Sequence, residues 1–484
     1  MLGTAAMWSV LTITVGVFTL LGILPFRRRV LTLEDHLVYR NQTGTAVGVA
    51  TITASAIGAW VLFSPPETAT WAGVTGLAGY ALGQAAPLFL LAWLGPRLRA
   101  HWPEGCSIAE FAHRRYGPLV GHFTRAIVLF YLFIFLTAEI TAIAQAVRIL
   151  SGIPLLWTAI LVTAGTAAYT SYGGLRASIL TDRVQFALIL PLMAAVFVAA
   201  RQRLGGAAPL FDQVRSVAPH LLSWRHGPGI AFAFTLIIAI AAANLFHQGF
   251  WQRVYSAHDE RTTRRAYLIS GGLVIPMVGA AGLFGLIALS HGLAPHETSV
   301  AFFAFVGRTF PPFLSAVVLV LALALVMSSV DTLLNGMVSA WVSEPATRRA
   351  AQSPDRLLRR ARRLTLGLAI PAAAIAARGH SVLYLFLIAD LVCAGAAVPI
   401  FYGIFSPSHT SGTALLAALT GIAVGALYFP KPDFTPWTPL PGAGSFLFSF
   451  GLALLTATAV VALGARLHRG RGASWSGPTN TPQS

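Results

Sequence analysis

The order of apolar and polar positions along the chain predicts a bundle of membrane-spanning helices. Runs of about 20 mostly apolar residues recur along the sequence, and a helix of that length crosses the hydrocarbon core of a bilayer. We count thirteen such runs and call them helix zero to helix twelve. Their predicted bounds are 7–26, 46–64, 71–95, 121–150, 154–172, 178–200, 229–247, 266–290, 312–343, 364–378, 381–405, 411–428 and 444–466.

The basic residues between these runs predict how the chain is oriented in the membrane. Four predicted connecting segments are rich in arginine, namely 27–45, 96–120, 247–265 and 344–363. The segments on the other side, 65–70 and 429–443, hold almost no basic residues. The positive-inside rule therefore predicts a multi-pass protein of the cell membrane with its N-terminus outside and its C-terminus in the cytoplasm. The segment 201–228 departs from the rule, because it carries arginines and is predicted to lie outside.

Composition agrees with a membrane protein and argues against other classes. Only 10% of the 484 residues are charged, whereas soluble domains have roughly 25%. The net charge of +17 is spread over short segments without interleaved aromatic residues, so nucleic-acid binding is not expected. Residues 1–466 are predicted to form a single transmembrane domain with lipid around it, and the Gly/Ser/Pro-rich stretch 467–484 a disordered cytoplasmic tail.

Ionisable side chains inside the apolar runs are the first candidates for function. Each costs about 2.5–3.5 kcal/mol to insert at membrane depth, so it needs a reason to be there. Glu139 lies in helix three, Asp182 opens helix five, Asp331 lies in helix eight and Asp390 in helix ten.

Helix eight concentrates polar groups on one face. At about 100° per residue, Ser328, Asp331 and Thr332 share that face, and Ser329 lies beside them. Hydroxyl and carboxylate oxygens suit a small hard cation, and the absence of clustered cysteine or histidine argues against a transition metal. The alternative is helix packing through small residues, with the hydroxyls bonded to backbone carbonyls.

Helices one and six show two further features. Small residues around Ala54, Ser55 and Gly58 allow helix one to break and offer its carbonyls to an ion, although close packing of an intact helix fits the same pattern. At the inner end of helix six, Trp251 and Arg253 are interpreted as anchors at the membrane interface.

Three segments resemble the sodium:solute symporter family. They are SYGGLRASILTDRVQ at 171–185, SIAEFAHRRYG at 107–117 and MSSVDTLLNG at 327–336. The resemblance implies an all-α fold with a LeuT-like 5+5 inverted repeat, formed by residues 46–200 and 229–405. Helix zero and two C-terminal helices within 411–466 would lie outside the repeat. Substrate and ions would be held where helices one and six break.

The resemblance also implies site residues by position. A first sodium site would use the carbonyls of Ala54, Ile57 and Leu325 and the hydroxyls of Ser328 and Ser329. A second cation site would use Asp182, Asp331 and Thr332 together with Ser328. Asp331 stands where some members have serine, so it could strengthen that site or hold a proton instead. Candidate substrate contacts are Trp60, Gln84, Glu139 and Asn244.

The function implied by the resemblance is sodium-coupled symport of a small organic solute by alternating access. Sodium would be the coupling ion, and no organic cofactor is expected. The segment FHQGFWQR at 246–253 is faintly similar to the urea-carrier branch, and a small neutral or zwitterionic solute is expected. The alternatives are a proton-coupled or uncoupled permease and a symporter-like membrane sensor. An enzyme is not expected, because no nucleophile–base pair, metal-ligand spacing or nucleotide loop is found.

Overall fold

The computed structural model describes residues 3–26, 32–342 and 354–467. The Arg27–Arg29 cluster and residues 468–484 of the predicted tail lie outside these ranges. The described part of the chain is almost entirely helical. Its α-helices are α1 (Thr4–Ile23), α2 (Leu33–Leu37), α3 (Thr45–Ala56), α4 (Ser64–His101), α5 (Ile108–Tyr116), α6 (Pro118–Ser151), α7 (Leu155–Arg203), α8 (Ala207–Val217), α9 (Gly227–Asn244), α10 (Gln248–Ser256), α11 (Glu260–Ser290), α12 (Ala301–Thr309), α13 (Pro312–Val342), α14 (Pro354–Ala376), α15 (Val382–Phe401), α16 (Ser411–Tyr428) and α17 (Phe446–Leu467).

Ten helices in the described ranges are long and apolar enough to cross a membrane. They are α1, α4, α6, α7, α9, α11, α13, α15, α16 and α17. Large apolar side chains such as Leu455 and Ile13 remain exposed on the outer helices, as expected for a surface that faces lipid. The protein is therefore a multi-pass membrane protein, while the count of thirteen crossings and the orientation stay predictions.

Two of the long helices contain a glycine with non-helical geometry. Gly73 interrupts α4 with φ of 63°, and Gly174 interrupts α7 with φ of 55°. A side chain at Gly73 would also overlap the backbone of Leu221, so only glycine fits. The prediction that 65–70 connects two helices is wrong, because these residues are helical and the helix is interrupted at Gly73 instead. The interruption in α7 falls where predicted helices four and five were separated.

The centre of the bundle is α13, whose side chains are buried along most of its length. It packs against α6 and α7, while α11 packs along α4, and α16 and α17 pack together beside α15. The helix before α15 begins at Pro354 rather than at the predicted residue 364. This arrangement brings α13 into contact with α3 and with the short turn that follows it.

Candidate ion and substrate site

Helix one is discontinuous near its middle. The α-helix α3 ends at Ala56, Ile57 takes an extended conformation with φ of −118° and ψ of 99°, and a short 3-10 turn follows at Ala59–Leu62. The Gln84 side-chain amide donates to the Ala56 carbonyl at 3.1 Å and supports the chain at this point. A helix that ends leaves its last carbonyls without partners further along the helix. Of the two alternatives for this segment, the structure therefore confirms the broken helix.

The carboxylate of Glu139, on α6, lies at this break. Its Oε2 atom accepts hydrogen bonds from the Ala59 backbone N–H at 2.8 Å and from the Ser329 hydroxyl at 2.9 Å. Its Oε1 atom accepts from the Trp60 backbone N–H at 3.4 Å. A side chain at Gly58 would overlap this carboxylate, which explains the glycine at the break. Glu139 therefore joins the break in helix one to α13.

Helix six is discontinuous as well. The helix α9 ends at Asn244 and α10 begins at Gln248, with three residues between them. The Trp251 indole N–H donates to the Leu245 carbonyl in this gap at 2.7 Å. The Asn244 side-chain oxygen accepts from the Tyr131 hydroxyl at 3.4 Å. Trp251 is fully buried, so its interpretation as an interface anchor is wrong.

Aromatic rings connect the two breaks. Trp60 stacks on Tyr80 with ring centroids 5.6 Å apart and meets the edge of Phe386 at 6.2 Å. Phe386 in turn contacts Phe135 at 4.7 Å. Phe135 contacts His247, in the gap of helix six, at 5.6 Å. The two breaks therefore border one aromatic region, with the candidate substrate residue Trp60 at one end and His247 at the other.

A second carboxylate belongs to this aromatic region. Asp390 follows Phe386 by one helical turn on the same face of α15, and it is buried. Within the described ranges, neither Asp390 nor Glu139 forms an ion pair with a basic side chain. No basic side chain in the described ranges therefore neutralises either carboxyl group.

The residues predicted for the first sodium site lie on two neighbouring segments. Ser329 and Leu325 are one turn apart on α13, with the Ser329 hydroxyl 3.2 Å from the Leu325 carbonyl oxygen. Ala54 and Ile57 lie at the last turn and the break of helix one. The Glu139 carboxylate links that break to α13. The Ser328 hydroxyl, in contrast, donates to an aspartate of an adjacent cluster.

That adjacent cluster surrounds Asp182. Its Oδ1 atom accepts from the Ser328 hydroxyl at 2.5 Å. Its Oδ2 atom accepts from the Thr51 hydroxyl and from the Arg253 guanidinium, the latter at 2.9 Å. Arg253 is only 2% exposed, so its interpretation as an interface anchor is wrong. The contact between Asp182 and helix eight that the sequence suggested is present.

Asp331 has a different set of partners. Its Oδ2 atom accepts from the Tyr169 hydroxyl at 2.7 Å and from Thr181 at 3.2 Å. Its Oδ1 atom accepts from the hydroxyls of Ser178 at 2.7 Å and Thr332 at 3.2 Å. This carboxylate is therefore surrounded by neutral donors.

Several residues of the cluster were not predicted from the sequence. Those missed are Thr51, Ser55, Tyr169, Ser178 and Arg253. The first two are four residues apart on α3, a spacing that could have indicated a shared face. An arginine near the predicted end of a helix gives no such signal, since interfacial arginines are common there.

The model of the sodium:solute symporter family matches residues 36–421 of this chain. The chain belongs to the sodium:solute symporter family. It is accordingly a solute symporter of the membrane and not an enzyme.

Curated relatives transport different solutes. The chain is 25% identical over 400 residues to a spermidine transporter of Candida albicans, covering 81% of this chain and 74% of the relative. It is 25% identical to the osmoregulated proline transporter of Bacillus subtilis, covering 64% of this chain and 64% of the relative. It is also 25% identical to a urea active transporter of Saccharomyces cerevisiae, but the match spans only 37% of that relative.

A solved structure shares the fold of the symporter. A sodium-coupled sialic acid symporter in a substrate-bound outward-open state superposes with a TM-score of 0.79. The match covers 95% of this chain and 98% of that one at 19% sequence identity. The expected LeuT-like fold is therefore confirmed.

Proposed function

We propose that this symporter couples the entry of sodium to the uptake of a small organic amine by alternating access. The observation that carries the proposal is the position of Glu139, which contacts the break in helix one and Ser329 on α13. The carboxylate thereby places a negative charge between the ion ligands predicted from the sequence and the aromatic region.

A sodium ion fits the ligands at this position. The carbonyls of Ala54, Ile57 and Leu325 and the hydroxyl of Ser329 are hard oxygen donors, which small hard cations prefer. Discontinuous helices supply such carbonyls in transporters. In this proposal Ser328 acts on the sodium site indirectly, because its hydroxyl donates to the neighbouring Asp182.

The aromatic region supports an amine as the solute. A positively charged nitrogen is attracted to the faces of Trp and Tyr rings, and Trp60 and Tyr80 provide such rings. Glu139 contacts the Trp60 backbone and Asp390 lies one helical turn after Phe386, so both carboxylates could face a positively charged solute from this region. A zwitterionic or cationic amine therefore fits better than a fully neutral solute. Gln84 supports the break in helix one through its bond to the Ala56 carbonyl. In this proposal Asn244, at the end of α9, offers its side-chain amide to the solute from helix six.

Coupling follows from the shared position of the ion and solute sites. An ion that orders the break in helix one also fixes Trp60 and Glu139, which border the solute region. By thermodynamic linkage, sodium then raises solute affinity by the same factor as the solute raises sodium affinity. The arginine distribution predicts that the N-terminus is outside and the C-terminus is in the cytoplasm.

Proton coupling is the second candidate, and Asp331 favours it. Within the described ranges its buried carboxylate forms no ion pair with a basic side chain, so a proton could neutralise it. Uncoupled transport and a sensor function have no comparable support from the described residues.

Uptake into proteoliposomes tests the proposal. Purified protein is reconstituted and given an inward gradient of sodium, of protons, or of potassium as a control. Radiolabelled proline, spermidine and urea represent a zwitterion, a cationic amine and a neutral solute. The proposal expects uptake of one of the two amines that depends on the sodium gradient. Uptake driven only by protons, or of urea alone, would contradict it.

A further inference from the structure

The guanidinium of Arg253 is surrounded by oxygen atoms as a bound ion would be. Its Nη2 atom lies 2.8 Å from the Ser55 hydroxyl oxygen, 2.8 Å from that of Thr332 and 2.9 Å from Asp182 Oδ2. The Ser178 hydroxyl oxygen lies 3.4 Å away. Four oxygen atoms from three helices, α3, α7 and α13, thus converge on one nitrogen.

The rest of the side chain is held equally firmly. The Nε atom donates to the Thr51 hydroxyl at 3.2 Å, and Nη1 donates to the Gly249 carbonyl at 3.2 Å. Arg253 is 2% exposed, and its ion pair with Asp182 is fully enclosed. A guanidinium stays protonated in proteins, so this positive charge is permanent.

The position coincides with the second cation site expected from the sequence. Asp182, Thr332, Ser328 and Asp331 were its expected ligands, and the first two contact the guanidinium directly. A guanidinium carries the same charge as a sodium ion. A second mobile ion would have to share the oxygens of Asp182 with Arg253 and would meet the repulsion of like charges.

We propose that Arg253 is a tethered cation that takes the place of a second mobile ion between α3, α7 and α13. The transport cycle then loads a cation only at the site beside Ser329, and one sodium ion moves with each solute. The number of one sodium ion per solute rests on the proposed sodium coupling. The tethered role of Arg253 can be tested separately.

The role of the tether follows from its attachment to α10. A mobile ion leaves its site when the helices separate, whereas the guanidinium moves with the inner half of helix six. Separation of α10 from α3 and α7 therefore breaks the hydrogen bonds of Arg253 but releases no ion from this site. Whether the Asp182 carboxylate has a positively charged partner therefore depends on the conformation of the protein and not on the sodium concentration.

Equilibrium binding of radioactive sodium to purified protein tests the inference. The proteins compared are wild type, Arg253→Gln, which removes the charge, and Arg253→Lys, which retains it. We expect one bound sodium ion in wild type and in Arg253→Lys. We expect two in Arg253→Gln, because Asp182 then lacks a cation.

The outcomes separate this inference from the proposed function. Two sodium ions in wild type, or an unchanged count in Arg253→Gln, would overturn the tethered cation. No sodium in wild type but one in Arg253→Gln would support the tether and overturn sodium coupling. No sodium in either protein would overturn both. If Arg253→Gln does not fold, the counts in wild type and Arg253→Lys decide, and two ions in either would overturn the inference.

Discussion

The Ser329 hydroxyl donates a hydrogen bond of 2.9 Å to the Glu139 carboxylate, and this contact joins α13 to α6. The same carboxylate accepts the backbone N–H of Ala59, immediately after the break in helix one. Three helices thus meet at one carboxyl group buried in the membrane. Since an unpaired charge there is costly, a bound cation at this junction would offset its burial.

Replacing Ser329 should weaken the proposed sodium site. Ser329→Ala removes one oxygen ligand and a donor to Glu139, and the loss of such a contact costs about 1–3 kcal/mol. We expect the sodium concentration for half-maximal uptake to rise about tenfold or more. Ser315→Ala is the matched control, since Ser315 is a buried serine near the start of α13 that bonds only a backbone carbonyl. An equal effect in both variants would contradict the assignment.

Replacing Asp390 should act on the solute instead of the ion. Asp390→Asn removes a buried carboxyl group one helical turn from Phe386 but leaves the break in helix one intact. We expect the affinity for an amine to fall about tenfold or more, because charge-assisted contacts contribute about 1.5–3 kcal/mol. The sodium-dependent change in thermal stability without solute should persist. Loss of that sodium response in Asp390→Asn would argue against separate ion and solute sites.

The enclosed pair of Asp182 and Arg253 should show strong coupling in a double-mutant cycle. Removing one partner of a buried pair costs about 3–5 kcal/mol, because the other charge stays buried without compensation. We expect Asp182→Asn and Arg253→Gln each to lower the unfolding midpoint strongly in sodium-free buffer. The double variant should recover a large part of the loss. Additive losses would show that the two side chains do not stabilise each other.

The glycine at the break can be tested against the carboxylate beside it. A Cβ in Gly58→Ala would overlap the Glu139 carboxylate, so we expect uptake to fall sharply. The double variant Gly58→Ala with Glu139→Asp should have a higher unfolding midpoint than Gly58→Ala alone, since the shorter side chain withdraws from the added methyl group. Thermal unfolding of the single and double variants measures this, and no difference between them would exclude the overlap as the cause.

A buried histidine outside the membrane-spanning helices predicts loss of stability in acid. His36, on α2, has its pKa lowered from 6.5 to about 4 by burial and by the positive charge of Arg362. Between pH 6.5 and about pH 4, His36 therefore binds a proton in the unfolded chain but not in the folded protein. Stability is fully present above pH 6.5 and should fall by about 1.4 kcal/mol per pH unit as the pH drops towards 4.

The variant His36→Phe isolates this contribution. Its unfolding midpoint should change less between pH 6.5 and 4.5 than that of wild type, while the two curves run parallel above pH 7. Identical curves over the acid range would show that other groups cause the acid sensitivity.

Much of the architecture could be predicted from the sequence because apolar runs report directly on membrane crossing. The exception at 65–70 has a local cause. The predicted crossings leave 65–70 between them, yet the two prolines of this segment stand in the first turn of α4, where proline is well tolerated. The helix is interrupted at Gly73, which packs against the Leu221 backbone. Because Leu221 is so distant in the sequence, this contact leaves no recognisable pattern in the residues around Gly73.

The candidate site was predicted less completely. The spacing of Ser328, Asp331 and Thr332 gave a polar face, and the structure buries all three. The partner of Asp182 could not be predicted, since Arg253 lies on α10, after the break in helix six, and only the fold brings α10 against α7. Which polar groups meet is decided by the folding of discontinuous helices against each other.

The most direct test of the account is the thermal stability of purified wild-type protein in sodium, with choline chloride holding the ionic strength constant. A ligand that binds only the folded state stabilises it by about 2.7 kcal/mol at 100 times its dissociation constant. The account predicts a sodium-specific rise in the unfolding midpoint that is clearly smaller in Ser329→Ala and enlarged by an amine solute. A midpoint that is the same in sodium and choline, with and without the amine, would contradict it.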